Sequence, residues 1–254
     1  MVNLDQNQWN LVYNIFSFGL VSMLACTVYT LVSQARVLPK YRNALVMSSM
    51  VTFIAGYHYW RIFDSFKEAS GESGTTVNMS GDPGSFNEAY RYVDWLLTVP
   101  LLLVEVVAVL ALAKEVARSL IVRLVPASAA MIALGYPGEV SSEQGTQVLY
   151  GVLSTIPFIY ILYVLFVELT KSLDRQPAGV AASVKNLRLL LLATWGVYPI
   201  AYMFNIWGDA GADSFVAIQV GYTIADILAK CVFGLTILKI ARMKSHAEGM
   251  AADH

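Results

Sequence analysis

Charge is what this sequence has least of. Only 14% of its 254 residues are Asp, Glu, Lys or Arg, where a soluble domain typically carries about 25%. Hydrophobic residues make up 57%. Together these place the chain among membrane proteins. The net charge of −1 leaves no basic surplus for nucleic acid. Cysteine is scarce too. Cys26 and Cys231 lie far apart in apolar runs, which excludes a disulfide framework and a metal-binding spacing. They read as small buried hydrophobes. The start, MVNLDQNQW, lacks a basic n-region and a small-residue cleavage site, so no signal peptide is expected. No repeat, low-complexity tract or second domain is evident, and residues 1–254 read as a single domain.

What is present in quantity is long apolar runs. A bilayer core takes about 20 apolar residues per helix. Seven stretches reach or approach that length, at Trp9–Gln34, Ala44–Phe66, Ala89–Ala113, Ser119–Tyr136, Gln147–Leu169, Val184–Trp207 and Phe215–Ile240. The fourth is the shortest, and Arg123 and Pro126 blur its start. The expected fold is an all-α bundle of seven membrane-spanning helices. The link between the second and third spans is long and rich in Gly and Ser. There TTVNM suits half of a short β-hairpin and GDPG a turn. Asn78-Met79-Ser80 spells a glycosylation sequon, but matches of three residues are common by chance.

The links separate by charge. Arg36, Lys40 and Arg42 follow the first span, and Lys114 and Arg118 follow the third. Lys171, Arg175, Lys185 and Arg188 follow the fifth, and Lys239, Arg242 and Lys244 follow the seventh. All fall on one side if the spans alternate. The other side holds Arg61 and Lys67 among many acids, including Asp64, Glu68, Glu72, Asp82, Glu88, Glu139, Glu143, Asp209 and Asp213. Basic residues stay inside. The N-terminus is therefore expected outside and the C-terminus in the cytoplasm.

A few ionisable groups lie within the spans. They are His58, Asp94, Glu105, Asp226 and Lys230, with Arg91 nearer the outer end. An ionised side chain near the bilayer centre costs about 2.5–3.5 kcal/mol on insertion scales. They are therefore expected to face the bundle interior and pair. At about 100° per residue, Asp94, Thr98 and Glu105 share an arc of roughly 40°, with Arg91 about 20° beyond. Asp94 and Glu105 are about 16 Å apart along the axis. In the last span, DILAK places Asp226 and Lys230 at i and i+4, on one face. Snorkelling to water suits Arg61 and Glu168, but not Lys230 in mid-span. A buried lysine amine can form a Schiff base with an aldehyde. Once protonated it would take Asp94 and Asp226 as counterions. A proton handed to Asp94 and replaced from Glu105 would cross the membrane.

These residues carry a resemblance to the microbial rhodopsins. RYVDWLLTVPLLLVE resembles the third-helix signature of the proton-pumping proteorhodopsin and xanthorhodopsin group. DILAK is similar to the retinal-lysine motif, and WGVYP to the sixth-helix W-x-x-Y-P of the retinal pocket. STIPFIYILYVLF and MIALGYPGE resemble the fifth and fourth helices. The resemblance covers all seven spans in order.

It implies that Lys230 binds all-trans retinal as a Schiff base. Asp94 would be the primary proton acceptor and counterion, Asp226 the second counterion, and Glu105 the cytoplasmic proton donor. Arg91 would tune both counterions, and Thr98 would be the middle member of the Asp-Thr-Glu triplet. His58 would hydrogen-bond the acceptor, and Tyr59 would join that network. Trp95, Met131, Gly135, Ser154, Thr155, Phe158, Trp195, Tyr198, Pro199 and Tyr202 would line the polyene. Read alone, these are an aromatic and Met-rich core. Leu102 stands where this group tunes colour, and is similar to green-absorbing members. Gly151 stands where many relatives have a large aromatic. It resembles the branch in which an opening admits a carotenoid antenna, although small residues also serve close helix packing.

The resemblance implies a light-driven outward proton pump in the cell (inner or plasma) membrane, as a homo-oligomer, with retinal and an optional carotenoid. The outer glutamate pair of some haloarchaeal pumps has no match at Phe215–Gln219. Glu139 and waters near Arg91 are the remaining candidates for proton release. The rival readings are a photosensor signalling through a partner, a rhodopsin moving another ion, and a retinal-free receptor or transporter. Glu105 argues against the first, Asp94 and Thr98 against the second, and Lys230 with Asp226 against the third.

Overall fold

The computed structural model describes residues 1–71, 74–141, 143–168, 170–171, 173, 176, 178–207 and 211–250. Glu72, Arg175, Asp209 and the expected fifth-span end at Leu169 lie outside the described residues. The first three spans are α1 (Gln6–Val32), α2 (Pro39–Ser70) and α3 (Ala89–Leu110), and the next two are α4 (Lys114–Glu139) and α5 (Gln144–Tyr163). The sixth is divided into α6 (Ala178–Trp195) and α7 (Val197–Trp207), and the seventh into α8 (Ala212–Asp226) and α9 (Phe233–Ala247). The expected seven-helix architecture is thus present. The fourth span is longer than expected at 26 residues. Its helix continues through Pro126, as membrane helices allow when neighbours or local adjustments satisfy the freed carbonyl.

The ends follow local chemistry. Asp5 and Gln8 form a reciprocal capping box at the start of α1, satisfying two backbone donors there. Pro39 begins α2 at a position where its missing N–H costs nothing. The sixth span breaks at Gly196, three residues before Pro199, whose ring cannot donate to Trp195. The seventh span widens into a π-helical turn at Ile227–Val232, which carries Lys230.

The strand expected in TTVNM is Thr76–Val77 (β2), and its antiparallel partner comes from the N-terminus, Val2–Asn3 (β1). GDPG does form a turn. Ser85 N–H donates to the Asp82 carbonyl at 3.0 Å, with Pro83 second and Gly84 third at φ 85°. That is the type II pattern, which needs a positive φ at the third residue.

The helices close into a ring. Each of α1 to α5 packs on the next, α5 meets α7, α7 meets α8, and α8 and α9 return to α1. Length and hydropathy alone mark five helices as able to cross a membrane, and these are spans one, three, four, five and six. The second and seventh are diluted by polar residues that face inward, among them Ser48, Thr52 and His58, and Gln219, Asp226 and Lys230. Outward positions such as Phe18, Phe53, Val122, Ile156 and Ile200 are apolar and exposed, as a lipid-facing surface requires.

One end of the bundle is sealed by aromatic packing among Phe16, Phe66, Phe86 and Phe215. The other end is tied by polar contacts. Lys244 Nζ donates to the Leu110 carbonyl at the end of α3, 2.6 Å away. Tyr41 donates to Glu248 at 2.6 Å, and Lys40 pairs with the same carboxylate. Lys40 and Tyr41 hold the Glu248 carboxyl below its ordinary range. Within the bundle, hydroxyl pairs join α1 to α2, Thr27 to Thr52 at 2.8 Å and Thr30 to Ser49 at 2.7 Å.

Gly19 marks the tightest approach of α1 to the centre. A Cβ there would stand 2.7 Å from Tyr59 Cε1 and 3.0 Å from Thr223 Cγ2. Tyr59 has little room to retreat, because its hydroxyl is bonded to Asp226 at 2.8 Å. Gly19→Ala should therefore destabilise the protein by about 1–3 kcal/mol, read as earlier loss of helical signal on heating in detergent. An unchanged melting curve would show that Tyr59 can give way.

Candidate functional site

The helical phase of α3 puts Arg91, Asp94, Thr98 and Glu105 on one side, and all four are buried. The π turn of the seventh span brings Lys230 to the same axis, where it is 2% exposed. Its Nζ donates to Asp94 Oδ2 at 2.6 Å and to Asp226 Oδ1 at 2.7 Å. The pairing expected from residue types is therefore direct.

The two carboxylates differ in their surroundings. Asp226 is crowded with donors. Tyr198 donates to Oδ1 at 2.6 Å, Tyr59 to Oδ2 at 2.8 Å and Trp95 Nε1 to Oδ1 at 3.3 Å. Asp94 has Lys230 at Oδ2, while its buried Oδ1 has no hydrogen-bond partner among the described residues. His58 Nδ1 lies 3.9 Å from that oxygen, too far for a hydrogen bond. It bonds instead to the Ile54 carbonyl one turn back, at 2.9 Å. The expected direct His58–Asp94 bond is thus replaced by an approach in ion-pair range. Thr98 likewise turns to its own helix, donating to the Asp94 carbonyl at 2.8 Å.

Towards the aromatic end, Arg91 donates to Gln219 Oε1 at 2.7 Å. Gln219 Nε2 donates to Glu88 Oε1 at 2.7 Å. The guanidinium also lies 5.2 Å from the Tyr222 ring centroid, a cation–π distance. Glu139 belongs to a separate contact, accepting from Tyr92 at 3.4 Å. Towards the opposite end, Glu105 is 0% exposed. Ser48 donates to its Oε1, and Oε2 has no hydrogen-bond partner among the described residues.

The side chains expected along a chromophore surround this axis unevenly. Trp95, Leu102, Trp195 and Gly135 are buried. Trp95 packs edge-on against Tyr198 with centroids 4.8 Å apart. Met131 and Phe158 pack against the same core. Ser154 donates to the Met131 carbonyl at 2.8 Å, and so ties α5 to α4. Tyr202 donates to the Gln147 carbonyl at 2.7 Å. Gly151 faces that tyrosine, and a Cβ there would meet Tyr202 Cε1 at 3.0 Å. Thr155 and Pro199 are exposed. The Thr155 hydroxyl returns to the Gly151 carbonyl at 2.7 Å and does not reach the buried cluster.

Sequence reasoning missed Ser48 and Glu88. A signal for Ser48 was there. Asp94 and Glu105 are eleven residues apart on α3, and so are Ser48 and Tyr59 on its antiparallel neighbour α2. Tyr59 sits at the Lys230 level, so Ser48 falls near Glu105. Gln219 was noted only as an absence of glutamate, and its amide proves to be the bridge between Arg91 and Glu88.

The chain was compared with known proteins. It matches the model of a family described as bacteriorhodopsin-like protein over residues 10–243. It is 32% identical to a green-light absorbing proteorhodopsin from Gamma-proteobacterium EBAC31A08, over 92% of this chain and 88% of that one. Among solved structures, thermophilic rhodopsin superposes with a TM-score of 0.93 at 45% identity, covering 98% of this chain and 100% of that one. Xanthorhodopsin, described as a light-driven ion pump with dual chromophore, gives 0.91 at 47% identity, covering 99% and 100%. The chain is thus an integral, multi-pass membrane protein, and it belongs to the bacteriorhodopsin-like protein family.

Proposed function

We propose that this protein is a retinal-binding, light-driven outward proton pump. The observation that carries the reading is the unequal hydrogen bonding of the two carboxylates that share Lys230 Nζ. Its relatives support it, because they include green- and blue-light absorbing proteorhodopsins and a light-driven ion pump.

The residues suit retinal. Lys230 is a primary amine sealed from water between two carboxylates. The aromatic surfaces of Trp95, Trp195 and Tyr198 lie beside the same axis. Lys230 Nζ would hold retinal, which would supply light absorption and photoisomerisation when bound.

The chain's own groups then set the route. Protonating Asp226 would break hydrogen bonds from Tyr198 and Tyr59. Asp94 Oδ1 has no such bonds to lose, so Asp94 takes the proton. Glu105 has a single hydroxyl partner and no ion pair among the described residues. A buried carboxyl without a cation is cheaper to hold as the neutral acid, which makes it a stored proton for Lys230. Asp94 meets Lys230 Nζ directly, whereas Glu105 stands about 16 Å further along α3, and this separation of the two acids gives the transfer one direction. The charge of the links supports a cytoplasmic Glu105 end and an outer Arg91 end, because basic residues stay inside. Beyond Asp94, the Arg91–Gln219–Glu88 chain leads towards the outer surface.

A carotenoid antenna is part of the same reading. Gly151 lets the Tyr202 ring come so close to α5 that a Cβ there would stand 3.0 Å from it, and its neighbours Val152 and Ile156 face outward. An apolar polyene lying on α5 would find a flat aromatic contact there.

Cells expressing the chain with retinal should acidify an unbuffered medium in light, and a protonophore should abolish the signal. Coloured protein with no pH change would replace the pump with a sensor. Lys230→Ala should keep its helicity but remain colourless with retinal. Glu105→Gln should slow proton return to Lys230 by about 10²-fold or more, and Ser48→Ala should shift the same phase of flash absorption. An unchanged photocycle in both would remove Glu105 as donor. Gly151→Trp should abolish energy transfer from added carotenoid in fluorescence excitation spectra while the retinal band persists. Transfer that survives would place any antenna elsewhere.

A further inference from the structure

A groove of about 420 Å³ runs along the outside of α9 beside Tyr29 of α1, and none of the residues that line it is one the pump uses. Its lining changes character along the helix. Leu235 and Leu238 come first, then Lys239 and Arg242, then His246. These positions recur at three- and four-residue intervals and so lie on one helical face. The deeper end is apolar, and the end where α9 runs past its membrane span is basic. Among the described residues no carboxylate lines the groove. Glu248, the nearest acid along the helix, is turned to the other side, where Lys40 and Tyr41 hold it.

We infer that this groove binds an anionic phospholipid, with the headgroup phosphate between Lys239, Arg242 and His246 and an acyl chain against Leu235, Leu238 and Tyr29. Three arguments favour a lipid over a free anion. The apolar half would gain nothing from inorganic phosphate. The polarity runs in the sense that a lipid's own polarity does, from bilayer interior to surface. The rim also shares its end of the bundle with Arg36, Lys40 and Arg42, in a field that attracts anionic headgroups. Guanidinium and ammonium groups are strong phosphate donors. The site is independent of the pumping reading, because it needs neither retinal nor a photocycle.

The test is native mass spectrometry of the detergent-solubilised full chain. It would be titrated with phosphatidylglycerol, with phosphatidylcholine of the same acyl chains, and with inorganic phosphate. Phosphatidylglycerol should be retained at least tenfold more tightly than phosphatidylcholine, and its binding should weaken as salt is raised. Lys239→Gln with Arg242→Gln should remove that preference, while Lys239→Arg with Arg242→Lys should keep it. Circular dichroism would show that both double variants are folded. Equal retention of the two lipids, or a preference that survives the glutamine pair, would overturn the site. Millimolar phosphate displacing the lipid would overturn it in favour of a free-anion site.

Discussion

The structure depends on one buried ammonium and the two carboxylates that share it. Lys230 contacts Asp94 and Asp226 within 2.7 Å on either side. None of the three could stay charged in this interior alone, since an isolated charge there costs several kcal/mol. Their pairing obliges α3, α8 and the π turn to meet at one level. The next layer follows from that meeting. Tyr59 of α2 and Tyr198 of α7 both donate to Asp226, so four helices converge on a single side chain. Gly19 then lets α1 close against Tyr59. Packing at the centre is set by electrostatics, and the apolar contacts fill in around it.

The same arrangement separates two carboxylates that the sequence treats alike. Both are aspartates in mid-span beside a lysine. Asp226 is surrounded by hydroxyl and indole donors, and Asp94 keeps an unpartnered oxygen. A group that accepts a proton and later releases it needs a state in which the proton has somewhere to sit. Glu105 repeats the theme lower on α3, with one hydroxyl and one unpartnered oxygen. Among the described residues Asp226 accepts from four donors, Tyr59, Trp95, Tyr198 and Lys230, whereas Asp94 and Glu105 each accept from one.

Much of this was legible in the residues. Apolar runs of bilayer length mark the seven spans, and an isolated mid-span lysine four residues after an aspartate demands a buried partner. Helical phase puts Arg91, Asp94, Thr98 and Glu105 on one face without any knowledge of the neighbours. Contacts across helices were harder. Nothing local to Gln219 or Glu88 shows that one bridges the other to Arg91. The partner of Thr76–Val77 comes from residues 2–3, beyond the reach of any turn rule. His58 was expected on Asp94. Its ring nitrogen satisfies itself on its own helix instead, a choice set by a rotamer and not by residue type.

The π turn at Ile227–Val232 has a consequence beyond the lysine it carries. A π turn holds about one residue more than the α turns around it. Everything after it is therefore rotated by about 100° relative to an unbroken α-helix. Lys239, Arg242 and His246 follow that turn on a continuous helix. The azimuth at which the final basic residues meet the surrounding lipid is thus set at the turn that carries the buried Lys230. Deleting one residue from the turn would re-aim the whole basic end of the seventh span, as well as displacing the amine.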